Sequence, residues 1–154
     1  MKINFVCLGN ICRSPLAHHV MEDIVRKNGM EKRFTIDSSG LGGWHIGDLP
    51  DYRMRDVAFK AGYKLTHRAR QFKKEDFYEF DLILAMDQEI LQGCKRLLPS
   101  LDVQNRLKLF REFDPIQDSL DCPDPYYGTR KDFENVLQIV ERCCTSLFEK
   151  LTQN

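Results

Sequence analysis

The sequence predicts an α/β protein, a three-layer sandwich in which a central, mostly parallel four-stranded sheet is flanked by helices. Three observations predict this class. A β-favouring run near the start passes through a tight loop into an amphipathic helix, and a second β-favouring run follows that helix. A strand, a helix and a strand in succession favour a parallel pair joined by a right-handed crossover. A long amphipathic helix ends the pattern, as expected of a sheet covered by helical layers.

The first strand and the first helix are the clearest early elements. Residues 3–7 are predicted as a buried strand. Ser14 predicts the start of the helix as its N-cap, with Pro15 in the first turn. Asn28 and Gly29 predict the end of this helix. The apolar residues at helical spacing between these ends are Leu16, Val20, Met21, Ile24 and Val25, and the polar face includes His18 and His19.

The remaining elements are shorter until the last helix. Further strands are predicted at residues 34–36, 81–86 and, more weakly, 107–110, and helices at 51–61 and 87–93. Thr129 is a candidate N-cap for the last helix. The apolar stripe of that helix consists of Phe133, Val136, Leu137, Val140, Cys144, Leu147 and Leu151.

Length and charge limit the classes of function. The 154 residues predict one domain that spans residues 1–154, with a core large enough to fold without disulfide bonds. Lys plus Arg and Asp plus Glu each number 23, so the formal net charge is zero. A general electrostatic attraction to nucleic acid or anionic lipid is therefore not expected. Any anion that the protein binds must therefore be held by a local group of residues rather than by the overall charge.

The six cysteines do not predict a disulfide scaffold, because such scaffolds are mostly shorter and loop-rich. No apolar stretch is long enough for a membrane span, and the first apolar run is a poor signal-peptide core. We therefore expect a cytoplasmic protein with reduced thiols and no membrane insertion. No Cys-x-x-Cys pair or paired histidine spacing suggests zinc, so neither a metal nor a cofactor is expected.

The loop at residues 7–14 carries the chemistry. It connects the first strand to the first helix, so its backbone N–H groups can converge on an anion at the positive helix end. Arg13 supplies a planar fork that can bind two oxygens of a tetrahedral oxyanion. Cys7 lies under the same positive field, which favours its thiolate. Gly9 and Asn10 suit the positive φ angles of a curled loop.

Cys7 also has an ordinary structural interpretation. A cysteine that ends a buried strand is usually a small packing residue. Cysteine, glycine, asparagine, arginine and serine in this order at a strand-helix junction favour a nucleophile instead. The Ser14 hydroxyl is placed to donate to a sulfur anion. The loop therefore predicts a thiolate that attacks the anion bound above it.

Two motifs resemble one known family. Residues 7–14 followed by Pro15 resemble the phosphate-binding loop of the low-molecular-weight protein tyrosine phosphatases, and residues 124–128 (DPYYG) resemble the general-acid loop of the same family. Further matches lie at residues 37–38, Trp44, 66–70 and 86–87. The resemblance covers essentially the whole chain and places the phosphate-binding loop after strand 1.

The resemblance implies how each catalytic residue acts in phosphate monoester hydrolysis. Cys7 would form a phosphocysteine, Arg13 would hold the phosphate oxygens, and Asp124 would serve as general acid and then general base. The other residues of the implied phosphate-binding loop are Leu8, Gly9, Asn10, Ile11, Cys12 and Ser14. The implied substrate rim consists of Leu8, Trp44, His45, Tyr126 and Tyr127. The implied partners are phosphotyrosine-containing proteins or peptides, bound by a monomer.

Supporting residues follow from the same resemblance. Asn10, Ser38 and His67 would brace the loop, although each alone is as well explained as a turn or surface residue. Asp87 either orients Arg13 or caps a helix, and the sequence leaves both interpretations open. Cys12 would be a redox partner that traps oxidised Cys7 as a disulfide, or else a packing thiol.

Other functions remain as alternatives. Ile11 argues against a phosphoarginine phosphatase, because those relatives usually carry threonine at that place. A thiol-dependent arsenate reductase of the same fold would need a relay of further cysteines, whereas only Cys94 lies near the middle of the chain. A basic segment at residues 64–74 would be the site of a non-catalytic phospho-ligand or nucleic-acid binding module, but the balanced charge favours no nucleic-acid partner.

Overall fold

A computed structural model describes residues 1–153. The strands are β1 (Lys2–Cys7), β2 (Thr35–Gly40), β3 (Leu82–Ala85) and β4 (Leu107–Leu109). The α-helices are α1 (Arg13–Lys27), α2 (Tyr52–Lys60), α3 (Asp76–Glu79), α4 (Gln88–Lys95) and α5 (Arg130–Thr152). Short 3-10 helices occupy Leu101–Arg106 and Phe110–Phe113.

The four strands form one sheet in the order β2-β1-β3-β4, and every pairing is parallel. In the register of β1 with β2, Cys7 lies opposite Gly40, so both strands end at the same edge. β3 pairs with β1 up to Ala85, one residue pair before that edge. The predicted α/β class with a mostly parallel four-stranded sheet is confirmed.

Alternation along the strands separates two apolar layers. Phe5 and Leu84 belong to the larger core cluster, which α1 and α5 cover. Val6, Ile83 and Ala85 face the other way and pack in the cluster beneath α3 and α4. The sheet therefore lies between helical layers, and the loop after its central strand β1 opens at the edge between them.

The start of α1 differs from the prediction. The helix begins at Arg13 with Cys12 as its N-cap, so Ser14 is not the N-cap residue. The reason is that the Ser14 hydroxyl is used elsewhere, within hydrogen-bond distance of Cys7 Sγ. Pro15 still lies in the first turn, as predicted.

The polar face of α1 was also predicted wrongly at His18. This side chain is not exposed on the helix surface; the residue is only 7% accessible and lies beside β2. Its two ring nitrogens lie 3.0 Å from Ser38 Oγ and 3.0 Å from Glu22 Oε1, which compensates for their burial.

β2 is longer than the predicted 34–36, because it continues through Asp37, Ser38 and Ser39. These polar residues pair along β1, and Ser39 exchanges hydrogen bonds with buried Asn4. The predicted strand at 81–86 is observed as Leu82–Ala85, and the one at 107–110 ends at Leu109 because Phe110 begins a 3-10 turn.

The helices agree more closely with prediction. Asp51 caps α2 through Arg53 N, and Asp87 caps α4 through Ile90 N. α5 follows Thr129 as predicted, and the Asp132 carboxylate accepts a 2.7 Å hydrogen bond from Thr129 N. The short helix α3 was not predicted. Across residues 1–153, the helices lack the combination of length and apolar character that a bilayer crossing requires.

Candidate active site

A cleft of about 300 Å³ opens at the carboxyl end of β1. This is where ligands bind in open parallel sheets. It brings both sequence motifs together, although more than one hundred residues separate them in the chain. The lining residues are Cys7, Leu8, Gly9, Ile11, Cys12, Arg13, Trp44, His45, Asp124, Tyr126 and Tyr127.

The loop after β1 is curled by one residue with a positive φ. Asn10 has φ of 57°, as predicted. The prediction of a positive φ at Gly9 was wrong, because Gly9 does not lie in the left-handed region. A Cβ at Gly9 would lie 3.1 Å from the His45 ring, so the lack of a side chain leaves room for that ring beside the loop. Gly40 supports the loop from below, because a Cβ on it would lie 2.8 Å from Asn10 N. The sequence did not single out Gly40.

The sulfur of Cys7 lies at the base of this loop. Cys7 is 3% exposed. Its Sγ accepts a hydrogen bond from Asn10 N at 3.3 Å and lies 2.9 Å from Ser14 Oγ. Both contacts stabilise negative charge on sulfur, and the helix N-terminus adds to the same effect.

Asn10 joins this sulfur to the rest of the protein. Its Nδ2 donates to Ser14 Oγ at 2.7 Å. Its Oδ1 accepts from His67 Nε2 and from Arg70 N, each at 3.0 Å. A chain of hydrogen bonds therefore runs from Cys7 to the segment that precedes α3. Arg70 is a support that sequence reasoning missed as an individual residue.

Arg13 is buried on the opposite side of the loop, with 3% of its side chain exposed. Its Nη1 donates to Asp87 Oδ2 at 2.7 Å and to Cys122 O at 2.9 Å, while Nη2 lies 3.6 Å from Asp124 Oδ2. Burial disfavours the charged guanidinium, but Cys7, Asp87 and Asp124 outweigh it and raise the pKa of Arg13. Arg13 is therefore a fixed cation in the cleft.

Asp87 performs both of the tasks that the sequence left open. Its Oδ1 accepts from Ile90 N at 2.8 Å and caps α4, while its Oδ2 holds Arg13. A carboxylate has two oxygens, so the two interpretations do not compete.

Asp124 projects into the cleft mouth from the loop before α5. Its Oδ1 accepts from Tyr126 N at 3.1 Å, and 42% of its side chain is exposed. Two contacts fix the start of this loop: Cys122 N donates to Met86 O at 2.8 Å, and Arg111 Nη1 donates to Asp121 O at 3.0 Å. No motif in the sequence indicated Arg111.

The rim consists of exposed rings. Trp44 is 70% exposed and Tyr127 is 96% exposed, and the Tyr126 and Tyr127 rings meet edge to face. The Arg53 guanidinium lies 5.3 Å from the centre of the Tyr126 ring and orients it, a contact that sequence reasoning missed. All five predicted rim residues lie at the cleft.

The two remaining supporting residues lie behind the loop. His67 reaches the loop after β1 through Asn10, whereas Ser38 Oγ lies 3.0 Å from His18 Nδ1. Burial, together with the neighbouring His18, lowers the pKa of His67 to about 4. His67 is therefore neutral at pH 7.

The other thiols are unlike Cys7. All six cysteines are free and buried. Burial raises the pKa of Cys12 well above the ordinary value, and it raises the pKa of Cys94 and of Cys122 to about 12. These thiols stay protonated at pH 7. Cys12 differs from the other four in lining the cleft beside Cys7.

The sequence matches known proteins over nearly its whole length. A family model described as low molecular weight phosphotyrosine protein phosphatase matches residues 2–154. The phosphatase of that name from Gallus gallus is 43% identical over 150 residues, which are 97% of this chain and 94% of the other.

Solved structures with a similar fold also include phosphatases. A protein tyrosine phosphatase from Entamoeba histolytica has a TM-score of 0.94 at 36% identity, covering 98% of this chain and 96% of the other. A drosophila arginine phosphatase has a TM-score of 0.92 at 28% identity, covering 100% of this chain and 99% of the other. The full-length family match and the 43% identity settle the relationship: this chain belongs to the family of low molecular weight phosphotyrosine protein phosphatases.

Proposed function

We propose that this phosphatase hydrolyses phosphotyrosine and other aryl phosphate monoesters through a phosphocysteine formed on Cys7. The observation that carries the proposal is the arrangement of three side chains in one cleft. Cys7 lies at its base, buried Arg13 lies beside it, and the Asp124 carboxyl lies 3.6 Å from Arg13 at the mouth.

In the first step the Cys7 thiolate attacks phosphorus and the bond to the tyrosine oxygen breaks. Arg13 and the amides of the loop hold the three non-bridging oxygens, which carry the developing charge. Asp124 donates a proton to the departing phenolate oxygen. This role fits an acid at the mouth of the cleft, where the leaving group must lie when phosphate is at the base.

In the second step water attacks the phosphocysteine. The Asp124 carboxylate, now deprotonated, accepts a proton from that water, and the Cys7 thiolate leaves as inorganic phosphate forms. Asp124 and Cys7 each return to their starting state, so one carboxyl and one thiolate suffice for the whole cycle.

The rim supports an aryl ester as substrate. Trp44, Tyr126 and Tyr127 line the same cleft as the loop, and aromatic walls favour a flat ring. Phosphoserine has no ring to stack on these walls. We therefore expect phosphoproteins that carry phosphotyrosine to be the substrates.

Phosphoarginine is the second candidate, because one structural relative is named an arginine phosphatase. Ile11 lines the cleft here and offers no hydroxyl to a guanidinium leaving group. Arsenate reduction is not favoured. Cys94 is fully buried with a raised pKa and lies outside the cleft, so it cannot start a thiol relay.

A test combines trapping with a substrate panel. Wild type, Cys7→Ser and the matched control Cys94→Ser are assayed on phosphotyrosine, phosphoserine and phosphoarginine, and for thiol-dependent arsenate reduction. We expect phosphotyrosine to be preferred, Cys7→Ser to be inactive, and Cys94→Ser to match wild type. Rapid acid quenching should leave a phosphate adduct on the peptide that contains Cys7. Full turnover by Cys7→Ser, or a preference for phosphoarginine, would contradict the proposal.

A further inference from the structure

The segment that carries Asp124 is folded around one buried arginine. Arg111 lies in the 3-10 helix Phe110–Phe113 that follows β4, and its side chain is buried. The segment after it, residues 114–129, contains no helix or strand before α5 begins. A segment of this kind has no regular backbone ladder, so other hydrogen bonds must fix its course. Arg111 does not line the catalytic cleft, so it does not touch a substrate bound there.

The guanidinium of Arg111 holds this segment at three points. Its Nε donates to Asp114 Oδ2 at 3.0 Å, its Nη2 donates to Asp118 Oδ1, and its Nη1 donates to Asp121 O at 3.0 Å. The guanidinium is planar and rigid, so these three attachments fix the path of residues 114–121 relative to β4. Burial opposes the charge of this group, but Asp114 and Asp118 outweigh burial and raise the pKa of Arg111. Arg111 therefore stays charged, and its bonds to the two carboxylates are charge-assisted.

The last of these attachments adjoins the residues that enter the acid loop. Arg111 binds the Asp121 carbonyl. The next carbonyl, that of Cys122, accepts from Arg13 Nη1 at 2.9 Å, and Cys122 N donates to Met86 O at 2.8 Å. Two buried arginines therefore hold consecutive carbonyls, one from the segment after β4 and one from the catalytic cleft.

Two prolines carry this placement forward to the acid. Asp124 lies between Pro123 and Pro125, and the ring of each proline fixes its own φ angle. A residue that precedes a proline is also restricted, which limits the backbone of Asp124 itself. Few backbone angles are free between the Asp121 carbonyl and the Asp124 carboxyl. A shift of that carbonyl therefore moves the carboxyl with it.

We propose that Arg111 is a positioning residue for Asp124, on which it acts through the backbone of residues 114–122. The proposal rests on the proposed function, in which Asp124 protonates the departing oxygen. A proton donor must lie within hydrogen-bond reach of that oxygen, and a misplacement of about 1 Å can lower the rate about 100-fold. Loss of Arg111 should therefore slow the hydrolysis of esters whose leaving group needs a proton and spare esters whose leaving group does not.

Arg142 provides the matched control. It lies in α5 and binds the same carboxylate as Arg111, because its Nε donates to Asp114 Oδ1 at 2.7 Å and its Nη2 donates to Asp114 Oδ2 at 2.9 Å. Within residues 1–153 its hydrogen bonds go to Asp114 alone. Replacement of either arginine thus weakens the support of Asp114, but only replacement of Arg111 releases the Asp121 carbonyl.

The experiment measures kcat/KM, which reports the formation of the phosphocysteine, for phosphotyrosine and for 2,4-dinitrophenyl phosphate. The variants are Arg111→Gln, Arg111→Lys and Arg142→Gln, with Asp124→Asn as the reference for a lost acid. For Arg111→Gln we expect a fall of about 10- to 100-fold with phosphotyrosine and of at most about threefold with the dinitrophenyl ester. Arg111→Lys keeps the charge but not the planar fork, so its loss should be smaller and show the same difference between the esters. Arg142→Gln should melt at a lower temperature but keep both values of kcat/KM.

Three results would overturn the proposal. One is an equal fall for both esters, or no fall, in Arg111→Gln; if that variant does not melt cooperatively, Arg111→Lys decides in the same way. Another is a selective fall in Arg142→Gln as large as that in Arg111→Gln, which would assign the effect to lower stability. The third is an equal fall for both esters in Asp124→Asn, which would overturn the acid assignment as well. A selective fall in Asp124→Asn without one in Arg111→Gln would leave the proposed function standing and overturn this proposal alone.

Discussion

Ser14 Oγ lies 2.9 Å from Cys7 Sγ, and Asn10 Nδ2 donates to that same oxygen at 2.7 Å. Because the Ser14 oxygen receives the Asn10 proton, its own proton is free to point at the sulfur. Ser39 O, at 3.3 Å, is the competing acceptor and is the more distant one. The hydroxyl is thus set to stabilise a thiolate.

Ser14→Ala should therefore deprive the Cys7 thiolate of one hydrogen-bond donor, make the thiolate less stable and slow turnover. A hydrogen bond to a charged group contributes about 1.5–3 kcal/mol, so kcat/KM should fall roughly 10- to 150-fold. The pH dependence of iodoacetate alkylation reports the thiol directly. Ser39→Ala is the control, because Ser39 Oγ pairs with Asn4 rather than with the sulfur. An unchanged alkylation profile in Ser14→Ala would refute this role.

Asp87 allows its two tasks to be separated by substitution. Asp87→Asn keeps an oxygen to cap Ile90 N but loses the charge opposite Arg13, whereas Asp87→Ala loses both contacts. Both variants should lose activity. Only Asp87→Ala should lose stability as well, by about 1 kcal/mol for the lost cap. Urea denaturation and steady-state kinetics together measure this split. Equal stability losses in the two variants would show that the cap contributes nothing.

Asp124→Asn tests the general acid. We expect kcat for phosphotyrosine to fall by about 10²- to 10⁴-fold. The loss should be much smaller for 2,4-dinitrophenyl phosphate, because that leaving group departs without a proton. Glu31→Gln, an exposed carboxyl outside the cleft, is the control. An equal loss for both esters would mean that Asp124 does not transfer the proton.

Contiguous motifs made the cleft predictable from sequence. Residues 7–14 contain the proposed nucleophile, the arginine and the strand-helix junction, and local chemistry dictates how they fold. The supports of the loop could not be predicted in this way. Gly40, Arg70 and Arg111 reach it from remote segments, and each contact depends on sheet register or on loop packing.

Two local errors have a common cause. Ser14 was expected to cap α1, and His18 was expected on its exposed face, because propensity and periodicity assign polar residues to caps and solvent. Both side chains are buried instead, Ser14 against Cys7 and His18 between Ser38 and Glu22. Tertiary hydrogen bonds outweigh these local rules where a functional loop must be supported.

That residues 1–154 form one domain stays a prediction from the length of the sequence.

Asp114 gives the protein a pH-dependent stability. Its burial opposes ionisation, but hydrogen bonds from Arg142, Ile116 N and Arg111 hold its pKa below the ordinary value of 3.8. A depressed carboxyl pKa stabilises the fold above 3.8, and this contribution is lost as pH falls below that value.

Asp114→Asn should therefore cost about 3 kcal/mol at pH 7, because it removes the carboxylate that pairs with Arg142 and one of the two that pair with Arg111. The difference from wild type should shrink as pH falls below 3.8. Urea denaturation at several pH values measures it, with Glu31→Gln as the exposed control. A difference that is independent of pH would assign the loss to packing rather than to charge.

Cys12 is expected to protect the nucleophile from irreversible oxidation. Peroxide converts the Cys7 thiolate to a sulfenic acid, and the Cys12 thiol then attacks that sulfur, releasing water and forming a disulfide. Both residues line the cleft, and the raised pKa of Cys12 keeps it a thiol until oxidation occurs. A dithiol reductant then restores both thiols.

Cys12→Ser should remove this protection. After peroxide treatment, wild type and the control Cys94→Ser should regain most of their activity with dithiothreitol, whereas Cys12→Ser should regain little. Mass spectrometry should show a Cys7 to Cys12 disulfide in wild type and sulfinic acid on Cys7 in Cys12→Ser. Full recovery of Cys12→Ser would mean that Cys12 only packs the loop. Since Cys94 is buried outside the cleft, a loss confined to Cys12→Ser assigns the protection to the thiol beside the nucleophile.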